Sequence, residues 1–113
     1  MSTYGEAGAT PPLEHPPAVV DILQSVVRCK WSVRILMLIR AGTVRPGALT
    51  RALDGLTTKV LNDCMRRLTE FAIVERIAYP EIPPRVEYRL TPFGERFTTV
   101  LDAIDALQRS VRH

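Results

Sequence analysis

The sequence predicts a small, mainly α-helical domain that carries one β-hairpin, with its elements in the order α-α-α-α-β-β-α. Apolar residues recur at intervals of three and four along several segments, which is the period of a helix that buries one face. Before the last of these segments lie two short β-prone runs, joined by a loop that contains three prolines. The chain of 113 residues fits one compact domain and is long enough to form its own core.

The first three helices are predicted to be short, and the second is the most apolar of them. The second helix covers residues 31–40 and is apolar nearly all round, as expected of a central helix. Gly42 can then take the left-handed conformation that ends a helix. The third helix runs from about Pro46 to Leu53, with proline in a first-turn position that tolerates it, and Gly55 stops it. The first helix is predicted from the helical spacing of Val19, Ile22, Leu23, Val26 and Val27.

The fourth helix has two chemically different faces. Thr57 is a suitable N-cap, and the helix is predicted to continue to about Phe71. Its packing face carries Val60, Leu61, Cys64, Met65 and Leu68. Its polar face carries Lys59, Asn62, Asp63, Arg66 and Glu70. One side of this helix therefore packs, and the other side is available for a partner.

A β-hairpin and a long last helix complete the domain. The strands are predicted over residues 73–78 and 86–90, and the connection 79–85, with its three prolines, predicts a stiff, projecting loop. Thr91 and Pro92 then open the last helix as its cap and first-turn residue. The apolar stripe of this helix is too extensive for one face of so small a monomer, so we expect much of it to pack on a second copy. The stripe consists of Phe93, Phe97, Val100, Leu101, Ile104, Leu107 and Val111.

Charge is unevenly distributed along the chain. Residues 1–17 are rich in proline and glycine and predict a flexible tail ahead of a domain over residues 18–113. Residues 28–96 carry 13 basic and seven acidic side chains, a balance of +6, whereas residues 1–27 have a balance of −3. A basic middle favours a polyanionic partner such as nucleic acid, although a solvated basic surface has the same composition.

Several function classes lack their sequence signals. No stretch is long and apolar enough to cross a bilayer, and no Lys or Arg precedes Arg28, so we expect a cytoplasmic protein without a signal peptide or membrane contact. The two cysteines are far apart in sequence and the only histidines are His15 and His113, which is not the spacing of a zinc site or a disulfide framework. No nucleophile elbow, phosphate loop or His–carboxylate pair is present, so we expect neither catalysis nor a cofactor.

The order of the elements matches a winged helix-turn-helix, in which the fourth helix enters the major groove of DNA and the hairpin forms the wing. Lys59, Asn62 and Arg66 share one face of that helix. Asn and Arg suit the edges of adenine and guanine, and Lys suits guanine or phosphate. Thr57 and Thr58 lie at the helix N-terminus, where hydroxyl and amide groups can meet a phosphate. For Thr57, capping is an equally good interpretation.

Four further basic residues are candidate contacts to the DNA backbone. Arg85 is predicted to lie on the wing, where the prolines hold it away from the body and a phosphate or the minor groove can be reached. The alternative for Arg85 is an ion pair with Glu81 or Glu87. The other candidates, for each of which an ordinary surface position is the alternative, are Lys30, Arg45 and Arg51.

Cys29 is a candidate thiol sensor. Its neighbours are Arg28 and Lys30, and it lies near a helix N-terminus, features that lower the pKa of a thiol. The alternative, which the sequence favours, is a small buried residue that only fills space. Cys64 falls on the packing face of the fourth helix and is expected in the core.

Three segments carry a more specific resemblance. Cys29-Lys30-Trp31 precedes an aliphatic helix, residues 49–61 span the third helix, the turn and the fourth helix, and the run YPEIPPRVEYRLTPFG covers Tyr79 to Gly94. These segments resemble the Gly-Lys-Trp opening, the helix-turn-helix and the wing signature of the HxlR family of bacterial winged-helix regulators. The resemblance covers about residues 18–107. It implies a homodimeric, sequence-specific transcription factor that pairs through its first and last helices.

The resemblance does not carry over the family's sensing chemistry. Members that sense oxidants or electrophiles have a cysteine just ahead of the first helix, where this sequence has Pro17 and Ala18. We therefore predict a homodimeric regulator, acting as a repressor on a pseudo-palindromic DNA operator, with residues 57–71 in the major groove and the wing at about 79–86 on the backbone or minor groove. The alternative is a winged-helix module that binds a protein partner without sequence-specific DNA contact. No convergent set of polar side chains identifies a small-molecule effector.

Overall fold

The computed structural model describes residues 18–111, and within them the predicted order α-α-α-α-β-β-α is confirmed. The predicted tail, residues 1–17, lies outside the described residues, as does His113. None of the helices in this part of the chain has the length and apolar character needed to span a bilayer. The elements are α1 (Val19–Arg28), α2 (Ser32–Arg40), α3 (Pro46–Ala52), α4 (Thr58–Glu70), β1 (Val74–Tyr79), β2 (Arg85–Leu90) and α5 (Pro92–Ser110).

Helix α2 occupies the centre of the domain, as its apolar sequence predicts. Ile35 and Leu36 are fully buried, and α2 packs against α1, α5 and β2. The two predicted glycine stops both take positive φ angles, +110° at Gly42 and +90° at Gly55. Only glycine adopts such angles without strain, so these residues set the turns that follow α2 and α3.

Helix α4 buries the face that its sequence periodicity marks out. The Thr57 hydroxyl accepts a hydrogen bond from the Val60 backbone N–H at 3.2 Å, which confirms the predicted cap. The inward side chains Leu61, Cys64, Met65 and Leu68 belong to the core, and α4 packs against α3 and β1. The opposite face of α4 is turned to solvent.

The hairpin is an antiparallel pair whose register runs from Val74 opposite Leu90 to Tyr79 opposite Arg85. Each strand therefore extends one residue further toward the loop than predicted, and the connection is residues 80–84. The Tyr88 backbone N–H donates to the Val44 carbonyl at 2.8 Å, which ties the free edge of β2 to the segment between α2 and α3. This bond fixes the wing relative to the helix-turn-helix.

The start of α5 is pressed against the start of β1. The Thr91 backbone N–H donates to the Ile73 carbonyl at 3.0 Å, and the Thr91 hydroxyl caps α5 by accepting from the Gly94 N–H at 2.9 Å. A Cβ at Gly94 would overlap the Ile73 carbonyl oxygen, so this approach requires glycine. Further along, an Arg40–Asp102 ion pair at 2.7 Å joins the end of α2 to α5.

Candidate nucleic-acid interface

The outward face of α4 brings together the three side chains that the sequence predicts to read bases. Lys59, Asn62 and Arg66 follow one another at helical spacing, and all three are exposed. The Lys59 side chain is 84% exposed and that of Arg66 67% exposed. Because the other face of α4 is fixed in the core, these side chains project from a helix whose position is rigidly set.

Asp63 lies among these side chains, and the sequence analysis gave it no role. The Lys59 ammonium donates to one Asp63 carboxylate oxygen at 3.0 Å, and the Arg66 guanidinium donates to the other at 3.2 Å. The Lys59 hydrogen bond, supported by the charges of Lys59 and Arg66, holds the pKa of Asp63 below its usual value. In the free protein the two cations are thus already paired. The i, i+4 spacing from Lys59 to Asp63 and the i, i+3 spacing from Asp63 to Arg66 are the sequence signal that could have predicted these pairs.

The N-terminus of α4 is open to an anion. Thr58 is the exposed first residue of the helix, and the first turn contains no acidic side chain. The first-turn amides of any helix lack intrahelical acceptors, and the helix dipole favours negative charge there. The Thr57 hydroxyl is already engaged in capping. A phosphate would therefore meet backbone amides and the Thr58 hydroxyl.

Arg85 lies in a strand and not in the expected loop. It is the first residue of β2, and its side chain is only 29% exposed because residues of the wing itself surround it. Its guanidinium donates to Glu81 at 2.8 Å and to Glu87 at 3.3 Å. It also lies over the Tyr79 ring, 3.9 Å from the centroid. The ion-paired alternative is the observed arrangement, and a DNA contact by Arg85 remains a prediction that needs these pairs to open.

Glu87 organises the arginines at the base of the wing. This carboxylate is on a residue only 5% exposed, and it accepts from Arg89 at 2.7 Å as well as from Arg85. Arg45 lies 3.9 Å from it, and the hydrogen bond from Arg89 is the main reason why the pKa of Glu87 is lowered. From the sequence, Glu87 was expected only as a partner of Arg85, because the alternation along β2 does not reveal a buried acid.

The remaining predicted backbone contacts are exposed but differ in their surroundings. Lys30 places its ammonium 4.9 Å from the centroid of the Trp31 ring, and that ring packs under Gly55 in the turn before α4. Arg45 is the residue just before α3, makes no side-chain capping hydrogen bond there, and faces Glu87. Arg51 lies in the last turn of α3. Whether any of them meets phosphate stays a prediction.

The two cysteines form a contact that the sequence analysis missed. The Cys29 and Cys64 sulfur atoms are 3.6 Å apart, although 35 positions separate them in sequence. Cys64 is buried as predicted, whereas Cys29 is only partly buried. Within residues 18–111 no group of three or more His, Cys, Asp or Glu side chains is placed to hold a metal ion. His15 and His113 lie outside these residues.

Comparisons with known proteins agree with this architecture. A transcriptional regulator of the helix-turn-helix type from Synechocystis is 42% identical over 102 residues, which is 90% of this chain and 70% of that protein. The Escherichia coli helix-turn-helix regulator YtfH is 40% identical over 78 residues, 69% of this chain and 62% of YtfH. This chain thus spans about two thirds of the length of these relatives, which are described as transcriptional regulators of the helix-turn-helix type.

A solved structure of a transcriptional regulator has a similar fold. It is described as a transcriptional regulator of the MarR family from Enterococcus faecalis V583 and matches with a TM-score of 0.75 at 35% identity. The match covers 81% of this chain and 84% of that one. Residues 26–112 match the family described as HxlR-like helix-turn-helix. The chain therefore belongs to the HxlR-like helix-turn-helix family of transcriptional regulators.

Proposed function

We propose that the protein is a sequence-specific DNA-binding regulator that places α4 in the major groove. The observation that carries the proposal is the exposed row of Lys59, Asn62 and Arg66 on a helix whose other face is fixed in the core. These are side-chain types suited to base edges, and an α-helix fits the major groove. The open N-terminus of α4 at Thr58 supplies amides for a neighbouring phosphate.

We further propose a homodimer formed through α1 and α5. Both helices expose large apolar side chains that the described monomer does not cover. A second copy would bury them and would present two α4 helices to half-sites about one helical turn apart in a pseudo-palindromic operator. A bound dimer would block polymerase wherever its operator overlaps a promoter, so we propose repression. The exposed side chains are Val19, Val20 and Val27 on α1, and Val100, Ile104 and Leu107 on α5, with Val111 just after it.

The base-reading role is tested by comparing Arg66→Ala with Arg51→Ala. Binding is measured by fluorescence anisotropy, on an operator selected from random duplexes and on random DNA. Arg66→Ala should lower the preference for the operator by about tenfold, because it removes a base contact. Arg51→Ala should weaken both complexes alike and reduce the salt dependence by about one ion. Equal losses on operator and random DNA from Arg66→Ala would contradict the proposal.

The dimer is tested by placing a charge on its expected interface. Ile104→Glu should convert the protein to a monomer in sedimentation equilibrium, because a buried unpaired charge is costly. Ala106→Glu is the matched control, since it adds the same charge to an exposed position of α5 away from the apolar stripe. A dimer that survives Ile104→Glu would argue against pairing through α5.

A further inference from the structure

The thiols of Cys29 and Cys64 take no part in the proposed DNA contacts, yet they lie against α4. Cys29 is the residue that follows α1, and Cys64 is in the middle of α4, 3% exposed on its packing face. Their sulfur atoms are 3.6 Å apart. A disulfide bond needs about 2.05 Å, so the sulfurs would have to approach by about 1.5 Å.

The two thiols differ in access to solvent. Cys29 lines an open cleft of about 560 Å³ between α1 and the C-terminal end of α4. Cys64 is not among the residues that line this cleft and is buried in the core next to Cys29. A small reagent in this cleft therefore reaches Cys29 first. The other residues that line the cleft are Asp21, Gln24, Ser25, Arg28 and Arg67.

The two thiols also differ in acidity. Burial raises the pKa of Cys29, but hydrogen bonds from the Ser32 hydroxyl and from the backbone N–H groups of Trp31 and Ser32 outweigh this and lower it to about 7. Burial is the main cause that raises the pKa of Cys64 to about 11. Near neutral pH, a large fraction of Cys29 is thus ionised while Cys64 stays a thiol, which is the combination of a nucleophile and a resolving cysteine.

We propose that Cys29 and Cys64 form a peroxide-responsive switch, in which a hydroperoxide entering the cleft leads to a disulfide bond between them within one chain. This regulation rests on the proposed DNA-binding function. Cys29 follows α1 and Cys64 lies within α4, so neither takes the position ahead of the first helix, where this chain has Pro17 and Ala18.

The chemistry takes two balanced steps. The Cys29 thiolate attacks one peroxide oxygen: an S–O bond forms, the O–O bond breaks, and the alkoxide that leaves takes a proton from water, giving an alcohol and a sulfenic acid. The Cys64 sulfur then attacks Cys29: the S–S bond forms, the S–O bond breaks, and the hydroxide leaves as water with the Cys64 proton. Two thiols lose two electrons, and the hydroperoxide is reduced to an alcohol and water.

Forming the Cys29–Cys64 disulfide would affect the DNA-reading face because Cys64 lies on the same helix, α4. Asn62 and Arg66 lie two residues to either side of Cys64 on α4. Drawing Cys64 toward the end of α1 would shift α4 against the hairpin and α3, which it contacts. Base contacts depend on hydrogen-bond geometry, so we expect a loss of about tenfold or more in operator affinity.

The test treats the reduced full-length protein with hydrogen peroxide and measures mass and operator binding in parallel. The expected product is lighter by about 2 Da, for the two hydrogens lost on forming the disulfide. Trypsin should release it as Cys29–Lys30 linked to residues 60–66. Operator affinity should fall by about tenfold or more, and dithiothreitol should restore both readouts.

Two variants separate the steps. With Cys64→Ala, peroxide should leave a Cys29 sulfenic acid that dimedone traps, with no disulfide and with little loss of operator affinity. With Cys29→Ser, peroxide should change neither mass nor affinity at the same dose. Circular dichroism melting of each variant checks that removing a buried or half-buried thiol has not unfolded the domain.

The outcomes that overturn the proposal are distinct from failure of the DNA-binding function. Peroxide that leaves both thiols free, or links Cys29 to a second copy, overturns the pairing. A confirmed Cys29–Cys64 bond with unchanged operator affinity overturns the switch. If the reduced protein binds no DNA, the proposed function fails. Hydrogen exchange of the α4 amides, compared between the reduced and the oxidised protein, then shows whether the disulfide disturbs this helix, and unchanged exchange overturns the switch.

Discussion

Replacing Asp63 with Asn should strengthen binding of the protein to DNA of any sequence. In the free protein the Asp63 carboxylate holds the Lys59 ammonium at 3.0 Å and the Arg66 guanidinium at 3.2 Å. DNA must compete with this carboxylate for both cations. Asn has nearly the same size as Asp and no charge, so the substitution releases both cations without changing the packing of α4.

The size of the effect follows from these two pairs and from the charge removed. Exposed pairs at i, i+3 or i+4 on a helix are worth about twofold each, so releasing both accounts for about fourfold. Removing a negative charge that faces the phosphates adds up to one released counterion, worth up to roughly eightfold at about 0.1 M salt. We therefore expect binding to random duplex to tighten by roughly fourfold to thirtyfold, with a steeper salt dependence.

Fluorescence anisotropy with a labelled random duplex, at several salt concentrations, measures this change. Glu70→Gln is the matched control, because it removes the same charge from the exposed end of α4, where the residue forms none of the ion pairs with Lys59 or Arg66. The control removes one charge but releases no paired cation, so it should tighten binding by at most the roughly eightfold of one counterion and by less than Asp63→Asn does. A gain from Asp63→Asn no larger than the control's, or a loss, would refute the reasoning.

Three further predictions concern stability and thiol chemistry. Gly94→Ala should destabilise the protein by about 2–3 kcal/mol in thermal melting, because the added Cβ would overlap the Ile73 carbonyl. Gly47→Ala is the control and should be tolerated, because its Cβ meets only a flexible arginine side chain at 3.3 Å; equal losses of stability in the two variants would contradict this. The rate of Cys29 alkylation by iodoacetamide should rise with pH as the thiolate forms and be half-maximal near pH 7, while Cys64, with a pKa of about 11, stays unreactive. Faster alkylation of Cys64 would show that Cys64, and not Cys29, is the nucleophilic thiol. Thr57→Ala should lower the free energy of unfolding in urea by about 1 kcal/mol, because the Val60 N–H loses its acceptor, and an unchanged midpoint would argue against the cap.

The order of the elements could be predicted because its signals are local. The period of three and four along α4 directly marks which side chains are buried, and Thr57 marks where the helix begins. Gly42 and Gly55 were expected to end helices, and both have positive φ angles. The family resemblance was equally local, because the run from Tyr79 to Gly94 includes the one glycine that the approach of α5 to Ile73 requires.

The features that sequence analysis missed depend on how elements pack. From the sequence, Arg85 was expected on a projecting loop. In a six-residue strand such as β2, alternation of side chains shows neither that the strand begins at Arg85 nor that Glu87 is buried. The Cys29–Cys64 contact depends on where the end of α1 meets the middle of α4, across 35 positions of sequence. Asp63 differs from these, because its spacing to Lys59 and Arg66 was visible in the sequence, although Asp63 was given no role there.

Selection from a pool of random DNA duplexes is the most direct test of the central claim that α4 reads sequence. The reduced protein is incubated with the pool at physiological salt, retained duplexes are amplified, and the cycle is repeated. We predict convergence on one motif with two inverted half-sites about one helical turn apart, and loss of that convergence with Arg66→Ala. A pool that does not converge, although the protein retains DNA at low salt, would contradict the claim and would favour the protein-binding module instead.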